Sequence, residues 1–270
     1  MKDRSRTNEE LKEEISILKQ KIREFAMGLG VDDVGFAAAA DYNSSRSPKI
    51  ETLFPEAKSI VVMVIKEMSH TESPNPQIAM NGRLDIMEFG RGINYRMARF
   101  LEKECGARAM SIPLSYPMNL DPTTGGVIAD LSLRHAAVVA GLGEFGRHNL
   151  VIHPRLGTRV LFVAVLCNLD MPSDPPVKEN LCTQCNACVE NCPAGALNNE
   201  GQTDVMKCLK VSQPYGLGKN IKFWAKWAGK TPEEQQKMLI SKDFWMMYQA
   251  NFIGFQYFCF KCYTSCPVGE

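Results

Sequence analysis

The sequence predicts an α/β core that is followed by a smaller region built around cysteines. Three observations predict this architecture. Apolar runs alternate with amphipathic helical patterns in the first part of the chain, the hydrophobic content of 45% is enough for a buried core, and eight of the ten cysteines lie between positions 182 and 266. Pro172 to Pro176 has the composition of a linker. We therefore divide the 270 residues into regions 1–175 and 176–270.

The elements of the first region follow from spacing. Thr7 and Glu10 form a capping-box pattern before apolar residues at helical intervals from Leu11 to Leu29, which predicts a first helix. Unbroken apolar runs predict strands that are covered on both faces. We expect strands over Val34–Ala38, Ile60–Ile65, Arg108–Leu114 and Val160–Cys167, and further helices over Ile93–Cys105 and Asp130–Ala140.

The cysteines form two related runs. Positions 181–193 read L-C-T-Q-C-N-A-C-V-E-N-C-P, the C-x₂-C-x₂-C-x₃-C-P spacing of bacterial ferredoxins. Positions 258–267 read F-C-F-K-C-Y-T-S-C-P, and Cys208 can supply the cysteine that this second run lacks. In two-cluster ferredoxins the last cysteine of a run binds the other cluster. We therefore predict one [4Fe–4S] cluster on Cys182, Cys185, Cys188 and Cys266, and a second on Cys192, Cys208, Cys259 and Cys262.

Zinc is the alternative metal for closely spaced cysteines. Zinc sites use separate C-x₂₋₄-C pairs, however, and not a run of four that ends in proline. Reduced thiolates that hold low-potential clusters indicate the cytoplasm. The charged first ten residues contain no signal-like apolar stretch, and the longest apolar run, Val160 to Cys167, is too short to cross a bilayer. The net charge of +1 does not favour non-specific binding to nucleic acid or membranes.

The stretch from about 210 to 256 separates Cys208 from Cys259 and is rich in aromatic residues. Such residues can stack on nucleic-acid bases, but a helical insertion that packs its rings around the clusters or onto the α/β core is the favoured interpretation. The aromatic and neighbouring residues are Trp224, Trp227, Phe244, Trp245, Met246, Met247, Tyr248 and Phe252.

Positions 141–146 read G-L-G-E-F-G and match the dinucleotide-binding pattern G-x-G-x-x-G. That site needs a strand before the glycines and a helix after them. Here Arg134 and His135 lie in a predicted helix before the glycines, and Pro154 and Gly157 interrupt the segment that follows. A dinucleotide site is therefore disfavoured, and we expect the glycines to permit close approach to another flat ligand.

A family resemblance rests on positions 140–160, A-G-L-G-E-F-G-R-H-N-L-V-I-H-P-R-L-G-T-R-V, followed by the double cysteine motif. Together they resemble the superfamily of reductive dehalogenases and epoxyqueuosine reductases. Positions 53–65, 89–95 and 206–208 add matches, so the similarity covers nearly the whole chain. The resemblance implies a nitroreductase-like α/β domain that binds base-off cobalamin, joined to a ferredoxin-like domain with two [4Fe–4S] clusters. It implies cofactor contacts at Asn94, Gly141, Gly143, Asn149, Val151 and His153.

The chain also departs from that superfamily. Val127 stands where epoxyqueuosine reductases carry an acidic proton donor, and the chain stops at Glu270, where many of them continue into a helical-repeat domain. It has no twin-arginine leader like that of exported dehalogenases. Those enzymes use a tyrosine donor assisted by a basic residue, and by this likeness Tyr116 and Arg159 are the candidates.

The sequence thus leads to three hypotheses about function. The first is a cytoplasmic, cobalamin-dependent reductase of a small organic substrate, supplied with electrons by a donor of the ferredoxin or flavodoxin type. The second is a cobalamin-free carrier that passes electrons between its two clusters to a partner enzyme. The third is epoxyqueuosine reduction on tRNA, which the near-neutral charge disfavours without excluding it.

Overall fold

The computed structural model describes residues 7–45, 47–114, 118–120, 127–198, 200–253 and 258–269. The helices are α1 Asn8–Gly28, α2 Ile50–Leu53, α3 Pro76–Glu104, α4 Leu133–Val139, α5 Ala187–Glu190, α6 Val205–Ser212, α7 Leu217–Ala228, α8 Pro232–Leu239, α9 Lys242–Ile253 and α10 Lys261–Thr264. The strands are β1 Asp33–Ala38, β2 Ser59–Lys66, β3 Ala109–Ser111, β4 Asn119–Leu120, β5 Val127–Ile128, β6 Glu144–Phe145, β7 Val151–Ile152 and β8 Val160–Cys167.

A four-stranded sheet organises the first region. Its order is β1-β2-β8-β3 and all its strand pairs are antiparallel, with Val62 opposite Ala164 at the centre. Every residue of β8 is buried, as expected for a strand covered on both faces. Helices α1 and α3 cover one face of the sheet, and α4 with the β7 segment covers the other. The predicted α/β layering is therefore present, built on an antiparallel sheet.

Helix α1 begins and is anchored as its sequence predicts. The Thr7 hydroxyl accepts from the backbone N–H of Glu10 at 3.3 Å, and the Glu10 carboxylate accepts from the N–H of Thr7 at 2.8 Å. On its buried side, the Lys19 ammonium donates to the Asp174 carboxylate at 2.8 Å and to the Pro172 carbonyl at 2.7 Å. The linker after β8 is thereby held against the first helix and strand.

Helix α3 is much longer than the segment predicted over Ile93–Cys105, because it begins at Pro76 and runs for 29 residues. Glycines in its first half obscured the helical pattern, and they are there for packing. A Cβ added at Gly82 would overlap the ring of His70, and one added at Gly90 would lie 2.9 Å from the Val163 side chain. The absent side chains let α3 lie close against the sheet and against the 3-10 turn Ser69–Glu72.

The cysteine-rich region has little apolar core of its own. Its small buried cluster joins Leu181 and Cys266 to Ile152 of the first region. The expectation that the insertion packs its aromatic rings around the clusters or the core is only partly met. Phe223 and Met247 are buried, but Trp245 is 58% and Phe252 83% exposed, and the rings contact mainly one another. None of the helices within the described ranges has the length and apolar character to cross a membrane.

Candidate metal centres and active site

Four cysteines line one small cavity of about 20 Å³. Its walls come from the 182–188 loop, from residues 266–268 and from residues 147–152 of the α/β region. The loop is tight, since Gln184 and Asn186 both have positive φ, at 58° and 62°. The Arg147 guanidinium holds that shape by donating to the side chains of Gln184 and Asn186. The cysteines on this cavity are Cys182, Cys185, Cys188 and Cys266.

A second group of thiols surrounds Cys262, at the start of α10. Burial, followed by the thiols of Cys259, Cys208 and Cys192, raises the pKa of Cys262 to about 12. Cys188 of the first group also acts on it, so the two groups are neighbours. The fold thus places one group of four cysteines on a shared cavity and three further thiols near Cys262, and the assignment of one cluster to each group stays a prediction.

The second group lies beside a cleft of about 230 Å³. Residues 71–79, at the start of α3, form one side of the cleft. Cys259, Phe260 and Lys261 lie on the other side. Both cavities are therefore bounded in part by the α/β region, the first by residues 147–152 and the second by residues 71–79.

The thiols differ in their pKa values and in their exposure. Within the described ranges, no three His, Cys, Asp or Glu side chains converge closely enough to hold one metal ion. Burial raises the pKa of Cys188 and of Cys266. The exposed Cys185 differs, because the backbone N–H of Ala187 and the side chain of Thr183 lower its pKa. Since thiolates are the ligands, cluster binding must displace protons from the buried thiols.

The glycine segment has a structural explanation. It follows α4 and leads into β6, the reverse of the strand-then-helix context of a dinucleotide site. A Cβ on Gly141, whose φ is +71°, would lie 2.3 Å from the carbonyl oxygen of Pro175. One on Gly143 would lie 2.3 Å from that of Ile152. Both glycines make room for the protein's own backbone, and the contact with a flat ligand expected from the sequence stays a prediction.

His153 is likewise committed to the fold. It is 2% exposed, and its Nε2 lies 3.1 Å from a carboxylate oxygen of Asp33. Its Nδ1 accepts from the backbone N–H groups of Arg155 and Leu156, at 3.3 and 3.2 Å. Both ring nitrogens are thus engaged within the protein, and His153 ties the turn before β8 to β1, while the implied cofactor contact stays a prediction.

Asn94 is the implied cofactor residue with a spare polar atom. It is 2% exposed on α3, and its Nδ2 donates to the Ile112 carbonyl at 3.0 Å. Its Oδ1 has no hydrogen-bond partner among the residues described. Asn149 lies in a left-handed turn with φ of 59°, and Val151 is buried in β7 opposite Phe145. A buried amide oxygen without a partner is a suitable acceptor for a ligand amide.

The implied catalytic pair is not seen together. Tyr116 lies outside the described residues. Arg159 forms an ion pair with Glu72 and donates to the Thr264 carbonyl at 3.3 Å, so it joins the α/β region to the cysteine-rich region. Val127 lies in β5, paired with Leu120.

Two features of the site were missed from the sequence. The Glu67 side chain is fully buried and forms an ion pair with Arg83 of α3. His148 lines the first cavity and is 5% exposed. Glu67 directly follows the apolar run of β2 and has the sequence signature of an exposed strand end. His148 belongs to no recognisable motif, so neither residue gave a usable signal.

Comparisons with known proteins agree with this architecture. The profile of the 4Fe-4S binding domain family matches residues 175–198. Epoxyqueuosine reductase from Bacillus subtilis is 24% identical over 94% of this chain and 64% of its own length, and that of Bacillus cereus is 26% identical over 94% and 65%. The chain therefore spans slightly less than two thirds of these relatives.

Solved structures share the fold. An epoxyqueuosine reductase in complex with an epoxyqueuosine-modified tRNA-Tyr stem loop aligns with a TM-score of 0.61 at 22% identity, over 94% of this chain and 66% of that one. A reductive dehalogenase, described as performing B12-dependent dehalogenation, aligns at 0.57 and 23% identity, over 86% and 35%. The predicted fold class is confirmed.

Proposed function

We propose that this chain is an iron–sulfur and cobalamin-dependent reductase. The premise is that it belongs to the superfamily of reductive dehalogenases and epoxyqueuosine reductases. The carrying observation is that Cys182, Cys185, Cys188 and Cys266 line one cavity, while the thiols of Cys192, Cys208 and Cys259 lie near that of Cys262. Soft thiolate donors in this arrangement suit [4Fe–4S] clusters. Each set would bind one cluster.

The chain's own residues would support that chemistry in defined ways. Arg147 fixes the loop that carries three of the thiols, and Arg159 fixes the α/β region against residue 264. Asn94 would accept a hydrogen bond from a corrin amide through its spare Oδ1, and Asn149 and Val151 are proposed neighbours. When bound, the clusters supply single electrons and the corrinoid supplies the reducing metal. The electrons would come from a cytoplasmic donor of the ferredoxin or flavodoxin type.

The comparisons favour a tRNA substrate over the small organic molecule expected from the sequence. The relatives found by sequence are named epoxyqueuosine reductases, and one of the solved neighbours is a complex with a modified tRNA stem loop. We therefore propose epoxyqueuosine in tRNA as the substrate. A small-molecule reductase is the second candidate, because Val127 has an apolar side chain where the resemblance places an acidic proton donor.

Cofactor content is the first test. After anaerobic reconstitution with iron, sulfide and hydroxocobalamin, we expect about eight iron atoms and one base-off cobalamin per chain. The Cys262→Ala variant should lose about half of the iron. Cys105→Ala is the matched control, since Cys105 is a partly buried cysteine outside both sets, and should keep all of it. Full iron without retained cobalt would contradict the reductase proposal and favour the electron carrier.

Substrate class is tested on the reconstituted protein. Single-turnover assays with reduced donor should convert an epoxyqueuosine-containing stem loop to queuosine, and binding should weaken steeply with salt, as phosphate contacts require. Loss of halide from a panel of halogenated aromatics, without conversion of the stem loop, would replace the tRNA proposal with the second candidate.

A further inference from the structure

His148 is a buried histidine on the wall of the first thiol cavity. The proposed function does not use it, yet the structure fixes its chemical state closely. The backbone N–H of Leu150 donates to its Nδ1 at 3.1 Å, so Nδ1 carries a lone pair. The single proton of a neutral ring with this Nδ1 acceptor must then be on Nε2.

That Nε2–H group has no partner in the part of the chain that the structure describes. A buried donor without a partner is costly, and such an atom commonly marks a missing ligand or water. The other residues around it are the four cysteines, the 183–186 loop, Ile152 and residues 267–268. Arg147 is already engaged with that loop. A sulfur of the bound cluster or of its cysteines is thus the acceptor that this cavity would supply.

We infer that His148 donates a hydrogen bond through Nε2 to a sulfur of the cluster at Cys182, Cys185, Cys188 and Cys266, and thereby raises the reduction potential of that cluster. Hydrogen bonds to the sulfurs are among the factors that set cluster potentials. The reduced cluster carries one more negative charge, so the donor stabilises it more than the oxidised cluster. The inference rests only on the part of the proposed function that assigns this cluster.

Gly146, the last glycine of the segment at positions 141–146, leaves the space that the His148 ring occupies. A Cβ added there would lie 2.5 Å from Cε1 and 2.9 Å from Nε2 of His148. Only a glycine leaves room for this edge of the imidazole. The glycine that imitates a dinucleotide motif in the sequence therefore positions a redox-tuning histidine.

Redox titration of the reconstituted protein tests the inference, with the two clusters resolved by their electron paramagnetic resonance signals. In His148→Phe we expect one cluster to titrate at lower potential, with an approximately tenfold fall in its reduced-to-oxidised ratio at fixed potential, which is about 59 mV for one electron. The other cluster is an internal control and should not move. His148→Gln, which keeps an N–H donor, should restore part of the shift. His135→Phe makes the same change away from this cavity and should leave both potentials unaltered.

Iron content separates this test from the test of the proposed function. Full iron with both potentials unchanged in His148→Phe would overturn the role of His148 and leave the clusters in place. Should that variant lose iron, the wild-type protein decides. A nitrogen coupling from ¹⁵N-histidine in the reduced cluster signal, absent from His148→Gln, supports the hydrogen bond, and the lack of any such coupling in the wild type refutes it.

Discussion

The two regions of this molecule are stabilised in different ways. The sheet region is closed by apolar side chains on both faces, with Phe36, Val61, Met63 and Leu166 fully buried. The cysteine-rich region has a buried apolar cluster of only three residues in its described part, one of which comes from the sheet region. Phe223, Met247 and Tyr263 are also buried there, outside that cluster, and Cys188 is a buried thiol. This difference indicates that hydrophobic burial stabilises the structure of the first region, whereas the proposed metal clusters stabilise that of the second.

Removal of iron should produce the largest difference between the two regions. Treatment with a chelator and reductant should abolish hydrogen-exchange protection in α5, α6 and α10, because their order depends on bound metal. Protection in β2 and β8 should persist, because their packing does not involve the clusters. The same chelator already saturated with iron is the control. Equal loss of protection in both regions would show that the sheet also needs the clusters.

Substitution of two buried methionines compares how tightly the two regions are packed. Met63 lies in β2 with no exposed surface, and Met247 lies in α9 at 2%. Met63→Ala should lower the free energy of unfolding by about 2–5 kcal/mol, the usual range for a packed core. Met247→Ala should cost less, since the thinly packed insertion can collapse around the gap. Urea unfolding of the reconstituted protein measures both, followed by circular dichroism and by tryptophan fluorescence, since Trp224, Trp227 and Trp245 all lie in the insertion.

An equal cost at the two methionines would show that the insertion is packed as tightly as the sheet region. The contrast drawn between the regions would then apply only to the cysteine loops themselves.

Two aspartates at the end of the first region are predicted to contribute unequally to the free energy of unfolding. Asp174 is mostly buried and accepts from Lys19 at 2.8 Å, from Arg23 at 2.5 Å and from the backbone of Phe36 at 3.2 Å. Asp174→Ala should cost about 2 kcal/mol, as for hydrogen bonds to charged groups. Asp170→Ala is the matched control, because its carboxylate is 83% exposed and lies 3.7 Å from Lys58, and it should change stability by less than about 0.5 kcal/mol. Similar losses in both variants would refute the anchoring role of Asp174.

The smallest predicted effect is on the stability of the folded protein at acidic pH. Burial acts to raise the pKa of Asp33, but hydrogen bonds from His153 and from the backbone of Val34 outweigh it and leave that pKa below 3.8. A lowered pKa means that the ionised carboxylate stabilises the folded sheet region above about pH 4. This contribution should disappear as the pH falls through the lowered pKa. The difference in unfolding midpoint between wild type and Asp33→Asn should therefore narrow towards low pH, and a constant difference would count against the pair.

The sequence predicted those elements whose pattern is local. Examples are the apolar runs of β2 and β8, the capping box of α1 and the spacing of the cysteines. In each case the residues that determine the structure lie close together in the sequence. The first half of α3 was missed because Gly82 and Gly90 are there for contacts with His70 and Val163, which lie elsewhere in the chain. The contacts of Gly141, Gly143 and His153 within the protein were not predicted for the same reason, since their neighbours Pro175, Ile152 and Asp33 could be known only from the fold.

The interleaved order of the cysteines has a consequence for how the protein is made. Under the proposed ligation, each cluster takes thiols from the 182–192 run and from the 259–266 run. Neither cluster can be completed until the second run has emerged from the ribosome, whereas the last strand of the sheet ends at Cys167 and can fold much earlier. Iron–sulfur assembly factors would therefore meet a chain whose first half is already folded, and delivery of the clusters becomes the closing step of its biogenesis.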